Sequence, residues 1–172
     1  VVSLVPSLTH TLAGMGHAGT LAGRTRFCDQ PAAALATVPV VGGTKDPDLE
    51  QIVALEPDLV LMDTEENRAA DAEKLLAAGL RVWAVLPVTV DDVVAILRDL
   101  ADVFQSEAAV CARIDRLVAN LAAARRDAPA PVPVFCAVWR GPYMSFNGRT
   151  YVSSILEAAG LHNVLADHPD SY

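Results

Sequence analysis

Aromatic residues are scarce in this 172-residue chain, at 5%. Each Trp, Tyr or Phe outside an apolar run therefore stands out. Basic residues are outnumbered, 13 Lys+Arg against 21 Asp+Glu, for a formal net charge of −8. That balance argues against a phosphate-tracking nucleic-acid surface and against attachment to an anionic membrane. No apolar run reaches the roughly 18 residues that a membrane span needs. The three cysteines, Cys28, Cys111 and Cys136, cannot all pair within one chain. No CxxC or Cys/His cluster has zinc spacing, and unpaired thiols lean toward a reducing compartment. Motifs of hydrolytic chemistry are missing too, with neither Gly-x-Ser-x-Gly nor HExxH present. Gly42-Gly43-Thr44-Lys45 lacks the spacer and ending of a phosphate loop, so no nucleoside triphosphate site is expected. The chain opens on Val1 rather than Met, which leaves a removed or omitted leader open.

What is present is a hydrophobic fraction of 52%, enough for a packed core. Val1–Val5 reads as a buried strand ending at Pro6, with Ser7 capping a helix from Leu8 to Met15. Thr20–Gly23 and Val38–Val41 read as short strands. Asp48 is the expected N-cap of a helix running to Leu55, and Pro57 forbids its continuation. Asp58–Met62 has the continuous apolar character of a strand buried on both faces. A helix over Asn67–Ala78 and a strand over Arg81–Leu86 follow. Strands alternating with helices predict βαβ units and a mostly parallel sheet.

The pattern changes at Val90. One apolar stripe joins Val93, Ile96, Leu97, Leu100 and Val103. A second joins Val110, Ile114, Leu117, Val118 and Leu121, with a break at Gln105–Ser106 and Ser106 as cap. A helix over Ser106–Arg126 is about 30 Å long, and the Ala/Pro segment Ala128–Pro133 ends it. Cys111 on this stripe and Cys136 in a strand over Val134–Val138 read as core. A polar-aromatic loop, Trp139–Thr150, precedes a helix over Tyr151–Ala159. The expected organisation is an N-terminal α/β lobe at 1–88, a helical crossover at 89–128 and the start of a C-terminal α/β lobe at 129–172.

Three motifs carry a family resemblance that extends over essentially the whole chain. They are the opening strand and loop Val2–Thr9, the segment Gly42–Val60 with its helix-Pro-Asp-Leu-Val strand, and Pro142–Glu157 followed by Asn163–Asp167. In these the chain resembles the helical-backbone (class III) substrate-binding proteins of ABC importers, in the branch that binds cobalamin and iron-siderophore chelates. The resemblance implies a bilobal α/β fold of the periplasmic-binding-protein type, with lobes joined by a long helix that resists large closure. It also implies a second lobe that is incomplete by Tyr172. The implied function is capture of a corrinoid or ferric chelate, with no resident cofactor, no catalytic residue and no metal ligand of its own. The expected partners are the chelate and a transporter permease. The expected protein is an extracytoplasmic monomer, peripheral to a membrane at most. A cytosolic enzyme or corrinoid-handling helper on the same scaffold is the alternative, because of the three thiols and the lack of a visible leader.

Open α/β sheets bind ligands at the carboxyl ends of their strands. In the first lobe that places Pro6, Ser7, Arg24, Arg26, Phe27, Cys28, Gly43, Thr44, Lys45, Glu66 and Asn67 at the ligand. Trp139, Arg140, Tyr143, Met144 and Tyr151 are the second-lobe candidates, and their bland reading is cover for a hinge. The tryptophan positions expected by resemblance fall near Thr44 and Asp63, neither aromatic. Arg24 and Arg26, like Arg140 and Arg149, are either anion contacts or solvated loop residues. Cys28 is either a soft-metal ligand or, as favoured, a packed loop residue. His10 is either a ligand to a bound metal centre or, as favoured, a surface histidine. His168, with Asp167 and Asp170, reads as a polar loop. Glu66 and Glu73 are either permease contacts or complements to a helix dipole.

Overall fold

The computed structural model describes residues 1–127 and 130–170, without the side chain of Asp127. The chain divides into two compact units, Val1–Leu86 and Pro87–Tyr172.

The first unit is a four-stranded parallel sheet in the order β2-β1-β3-β4. Its strands are β1 (Val2–Ser3), β2 (Gly23–Arg24), β3 (Val60–Asp63) and β4 (Val82–Val85). The helices are α1 (Pro6–Gly14), α2 (Ala32–Leu35), α3 (Leu49–Ala54) and α4 (Ala69–Ala77). Val2 pairs with Gly23 on one side and Val60 on the other. The chain thus leaves β1 in one direction and returns to its far side as β3, which makes the β1/β3 edge a topological switch point. Val60, Leu61 and Met62 are all buried, as a strand covered on both faces requires. Val60 and Met62 join Val2, Leu4, Val41, Ile52 and Leu75 in one core cluster.

Local rules place most helix ends. The Asp48 carboxylate accepts from Gln51 N–H at 2.9 Å, as the expected cap of α3. Leu55 closes α3, and Glu56 takes a left-handed φ of 46° before Pro57. The start of α1 differs from expectation. Pro6 occupies its first turn, Val5 is the cap residue and Ser7 lies inside the helix. Proline fits that turn because the N–H it lacks has no intrahelical partner there. The strand expected over Thr20–Gly23 begins only at Gly23, because Ala18–Thr20 is a 3₁₀ turn. Around Val40 there is only a single parallel bridge, to Arg24.

The second unit has α5 (Val90–Val103), α6 (Ala108–Asp127), β5 (Val132–Val134), α7 (Tyr151–Ala158) and β6 (Leu161–Asn163). β5 and β6 pair in parallel, and α5 and α6 pack on each other and on α7. The break between α5 and α6 lies where expected, with Gln105 at φ 50°. The long helix starts at Ala108, two residues after the expected cap Ser106. The stripes are only partly covered. Leu100 and Ile114 are buried, whereas Val103 and Leu117 are exposed. Cys111 is exposed, and Cys136 is half-buried beyond the end of β5, so neither is core. The periodicity identified the helix faces but not how far each is covered. Ala128 and Pro129, expected to help end the long helix, lie outside the described residues, as do Ser171 and Tyr172.

Thr89 and Asp92 form a capping box at the start of α5. Asp92 N–H donates to Thr89 Oγ1 at 3.1 Å, and Thr89 N–H donates to Asp92 Oδ2 at 2.7 Å. The Thr89 side chain, then the Thr89 and Val88 N–H groups, hold the Asp92 carboxyl below its ordinary 3.8. A depressed folded pKa stabilises above the unfolded value, and that contribution is lost as pH falls through the folded one. The Asp92 carboxyl should therefore titrate by NMR with a midpoint below 3.8. Thr89→Val should move the midpoint upward, and an unmoved midpoint would remove the capping box as the cause.

Candidate functional site

The loops that leave the carboxyl ends of the first sheet converge on one residue. Asn67 is buried, and its Nδ2 donates to Leu4 O at 3.1 Å and to Thr44 O at 3.0 Å. Its Oδ1 accepts from Asp63 N–H at 2.8 Å. One amide thus joins the loop after β1, the glycine loop and the end of β3. Asp63 continues the network, because its Oδ1 accepts from the N–H groups of Glu65 and Glu66. Lys45 Nζ donates to Glu65 O and ties the glycine loop down again.

A second buried cluster sits beneath the loop after β2. Thr9 Oγ1 lies 2.8 Å from Ser3 Oγ, 2.9 Å from Val5 O and 3.1 Å from Cys28 Sγ. Thr25 Oγ1 is also 3.1 Å from that sulfur. Arg24 folds back over its own loop, with Nη1 donating to Cys28 O at 2.9 Å and to Thr25 O at 3.3 Å. Its Nε is buried without a hydrogen-bond partner.

Sequence-expected residues therefore divide by exposure. Cys28, Gly43, Thr44 and Asn67 are buried, and Cys28 and Asn67 engage the protein's own groups. They shape the loops. Cys28 is 1% exposed, which leaves its thiol packed as favoured. Pro6 is half-buried in α1, and Arg24 half-buried within its loop. The outward surface is made by Ser7, Arg26, Phe27, Lys45 and Glu66. Phe27 is 54% exposed. Arg26 lies over its ring, 5.1 Å from the centroid. Sequence reading did not single out Asp46, which meets Arg26 at 2.7 Å. A separation of 20 residues between two loop charges has no local signature.

The polar-aromatic loop of the second unit folds on itself. Val138 N–H donates to Met144 O at 2.9 Å, and Met144 N–H donates to Trp139 O at 3.2 Å. The turn between them projects Trp139, 63% exposed, and Tyr143, 71% exposed. Tyr143 borders two hollows. One of about 340 Å³ also has Phe135, Met144, Phe146 and His168 on its walls. The other, of about 380 Å³, has Val138, Trp139 and Arg140. Phe146 itself is buried, and Tyr151 is half-buried at the start of α7. A buried asparagine again holds the loop. Asn163 Nδ2 donates to Phe146 O at 2.9 Å and to Ser153 Oγ at 3.4 Å, while Oδ1 accepts from Leu165 N–H. His168 Nδ1 accepts from Asp170 N–H at 3.2 Å. Arg149 donates to Pro169 O, so it braces this loop. His10 is exposed on α1. Among the described residues no three His, Cys, Asp or Glu side chains gather as metal ligands, and no helix is long and apolar enough to cross a membrane.

Large aromatic and apolar side chains left exposed around shallow hollows, with a few polar groups beside them, suit a large amphipathic ligand. The sequence profile of the periplasmic binding protein family matches residues 1–172. A vitamin B12-binding protein of Photorhabdus laumondii is 26% identical over 172 residues, 98% of this chain and 62% of that protein. A cobalamin-binding protein of Halobacterium salinarum is 31% identical over 173 residues, 97% of this chain and 46% of that protein. The chain thus spans between about half and three-fifths of the curated relatives it matches. Among solved structures, the periplasmic vitamin B12 binding protein of Vibrio cholerae superposes with a TM-score of 0.82 at 19% identity, covering 99% of this chain and 68% of its own.

Proposed function

The chain belongs to the periplasmic binding protein family, and from that membership we propose that it is a receptor for a corrinoid or iron chelate, handing its ligand to an ABC-importer permease outside the cytoplasm. Its two curated relatives described above are named for binding B12 or cobalamin, and they lend nothing to the alternative of an enzyme. The observation that carries the ligand class is the exposed aromatic turn of the second unit, where Tyr143 stands between two hollows. A corrin or chelate edge has the amphipathic character those walls match. In the first unit the proposed contacts are Phe27, Arg26, Lys45, Glu66 and Ser7, all exposed, with Asn67 bracing the loops that carry Lys45 and Glu66. Trp139, Arg140 and Met144 complete the proposed contacts of the second unit. We read the receptor as a monomer without a resident cofactor.

Titration with cyanocobalamin, cobinamide and ferric chelates, followed by Trp83 and Trp139 emission, tests this. A saturable response is expected to at least one of them. Truncating an exposed aromatic contact to alanine removes about 1–3 kcal/mol of burial. Tyr143→Ala and Phe27→Ala should therefore each weaken binding by about 5- to 150-fold. Thermal unfolding should barely change, since both rings are exposed. No saturable response to any of these ligands would sink the ligand class. Unchanged affinity in both variants would sink the contact assignment.

A further inference from the structure

The Arg26–Asp46 pair has features that an incidental surface ion pair lacks. Arg26 Nη2 lies 2.7 Å from both carboxylate oxygens of Asp46. A Cβ on Gly43 would come within 2.4 Å of Asp46 Oδ1 and 2.7 Å of Arg26 Nη2, so glycine is what lets the two side chains close over the loop. The backbone aligns them too. Arg26 N–H donates to Gly42 O at 2.8 Å, and Gly43 N–H donates to Asp46 O at 3.2 Å. Arg26 also covers the Phe27 ring. Both charged side chains remain open to solvent, at 48% and 61%.

Arg24 and Lys45 donate to backbone carbonyls, whereas Arg26 is matched to a carboxylate. An arginine fork is the side chain best suited to a ligand carboxylate or phosphate. Here a carboxylate of the protein already holds Nη2 of that fork.

We propose that Asp46 is a specificity-determining residue: by holding Arg26 Nη2 it makes this loop face discriminate against carboxylate-bearing chelates and in favour of uncharged ones. The inference rests on the receptor reading above for its biological meaning, but the competition between Asp46 and an external carboxylate is measurable without the natural ligand. An exposed pair of this kind is worth a factor of about two to five in binding terms. Removing the Asp46 charge also removes its repulsion of an incoming anion.

The test uses citrate as the probe and the Arg26 Nε–Hε NMR signal as the readout, on the full chain. Asp46→Asn should tighten citrate binding about fivefold, and Asp46→Ser should give the same gain, separating charge from shape. The gain should vanish in Asp46→Asn/Arg26→Gln, read from neighbouring amides, and should shrink at high salt as screening requires. Equal citrate affinity in the wild type and both Asp46 variants overturns the proposal, as does a gain that survives loss of Arg26. A parallel titration with cyanocobalamin keeps the two ideas apart. Failure there with a citrate gain intact sinks the corrinoid reading and leaves the charge gate standing.

Discussion

Replacing Asn67 by alanine should cost about 3–5 kcal/mol of unfolding free energy, because it orphans three backbone groups at once. Leu4 O and Thr44 O lose the Nδ2 donor, and Asp63 N–H loses its acceptor. Asn67 is 5% exposed, so water has little access to replace the lost partners. Each buried polar group left unpaired costs about 1–3 kcal/mol, a large share of the 5–15 kcal/mol typical of a whole domain. Asn67→Asp provides the sharper comparison. Its carboxylate still accepts from Asp63 N–H but points negative charge at two carbonyl oxygens, which raises its pKa. The variant should be as unstable as alanine at neutral pH and recover as pH falls and the carboxyl gains a proton. Urea unfolding followed by Trp83 emission in a Trp139→Phe background reports the first unit alone. A midpoint shift for Asn67→Ala equivalent to less than about 1 kcal/mol would show that the loops do not depend on this amide.

Gly42→Ala is the other large effect, expected at about 3 kcal/mol or more. Gly42 has a φ of 95°, where L side chains are strained. An added Cβ would also stand 2.5 Å from Asp46 O, 2.9 Å from Asp48 N and 3.0 Å from Pro47 Cα. All three are backbone atoms, so no rotamer relieves them, and the 42–48 loop must move. That movement carries further consequences. Gly42 O accepts from Arg26 N–H, and Val41 O accepts from Asp48 N–H, so the Arg26–Asp46 pair and the cap of α3 shift together. Gly79→Ala is the control, with a φ of 84° but nothing within 4 Å of its Cβ. It should cost only the conformational strain, about 1–2 kcal/mol. Equal thermal shifts in the two variants would mean that the tight loop contacts at Gly42 contribute nothing.

Much of the scaffold was legible because its determinants are local. Asp48 caps α3 three residues ahead of its partner. Gly79 lies just past α4 and Gly160 just past α7, both with positive φ. Continuous apolar residues over Val60–Met62 identify a strand covered on both faces. Errors came where a local rule met a competing one. Ser7 looked like a cap, but Pro6 had already taken the first turn of α1. Cys111 and Val103 follow apolar stripes, yet nothing among the described residues covers them, and periodicity carries no information about what lies opposite.

The candidate site was legible as a set of loops and not as a set of roles. Strand alternation was enough to expect Pro6–Thr9, Arg24–Asp29, Gly42–Lys45 and Asp63–Asn67 at the carboxyl ends of one sheet. Local spacing also determined the start of α3, the apolar strand at Val60–Met62 and the aromatic character of the Trp139–Met144 turn. Tertiary structure alone decided that Asn67 serves the backbone, that Cys28 is sealed between two threonines and that Arg26 answers to Asp46. The physical reason is distance along the chain. Asn67 reaches Leu4 across 63 residues and Thr44 across 23, and a polar side chain turns inward or outward according to partners that no neighbouring residue announces.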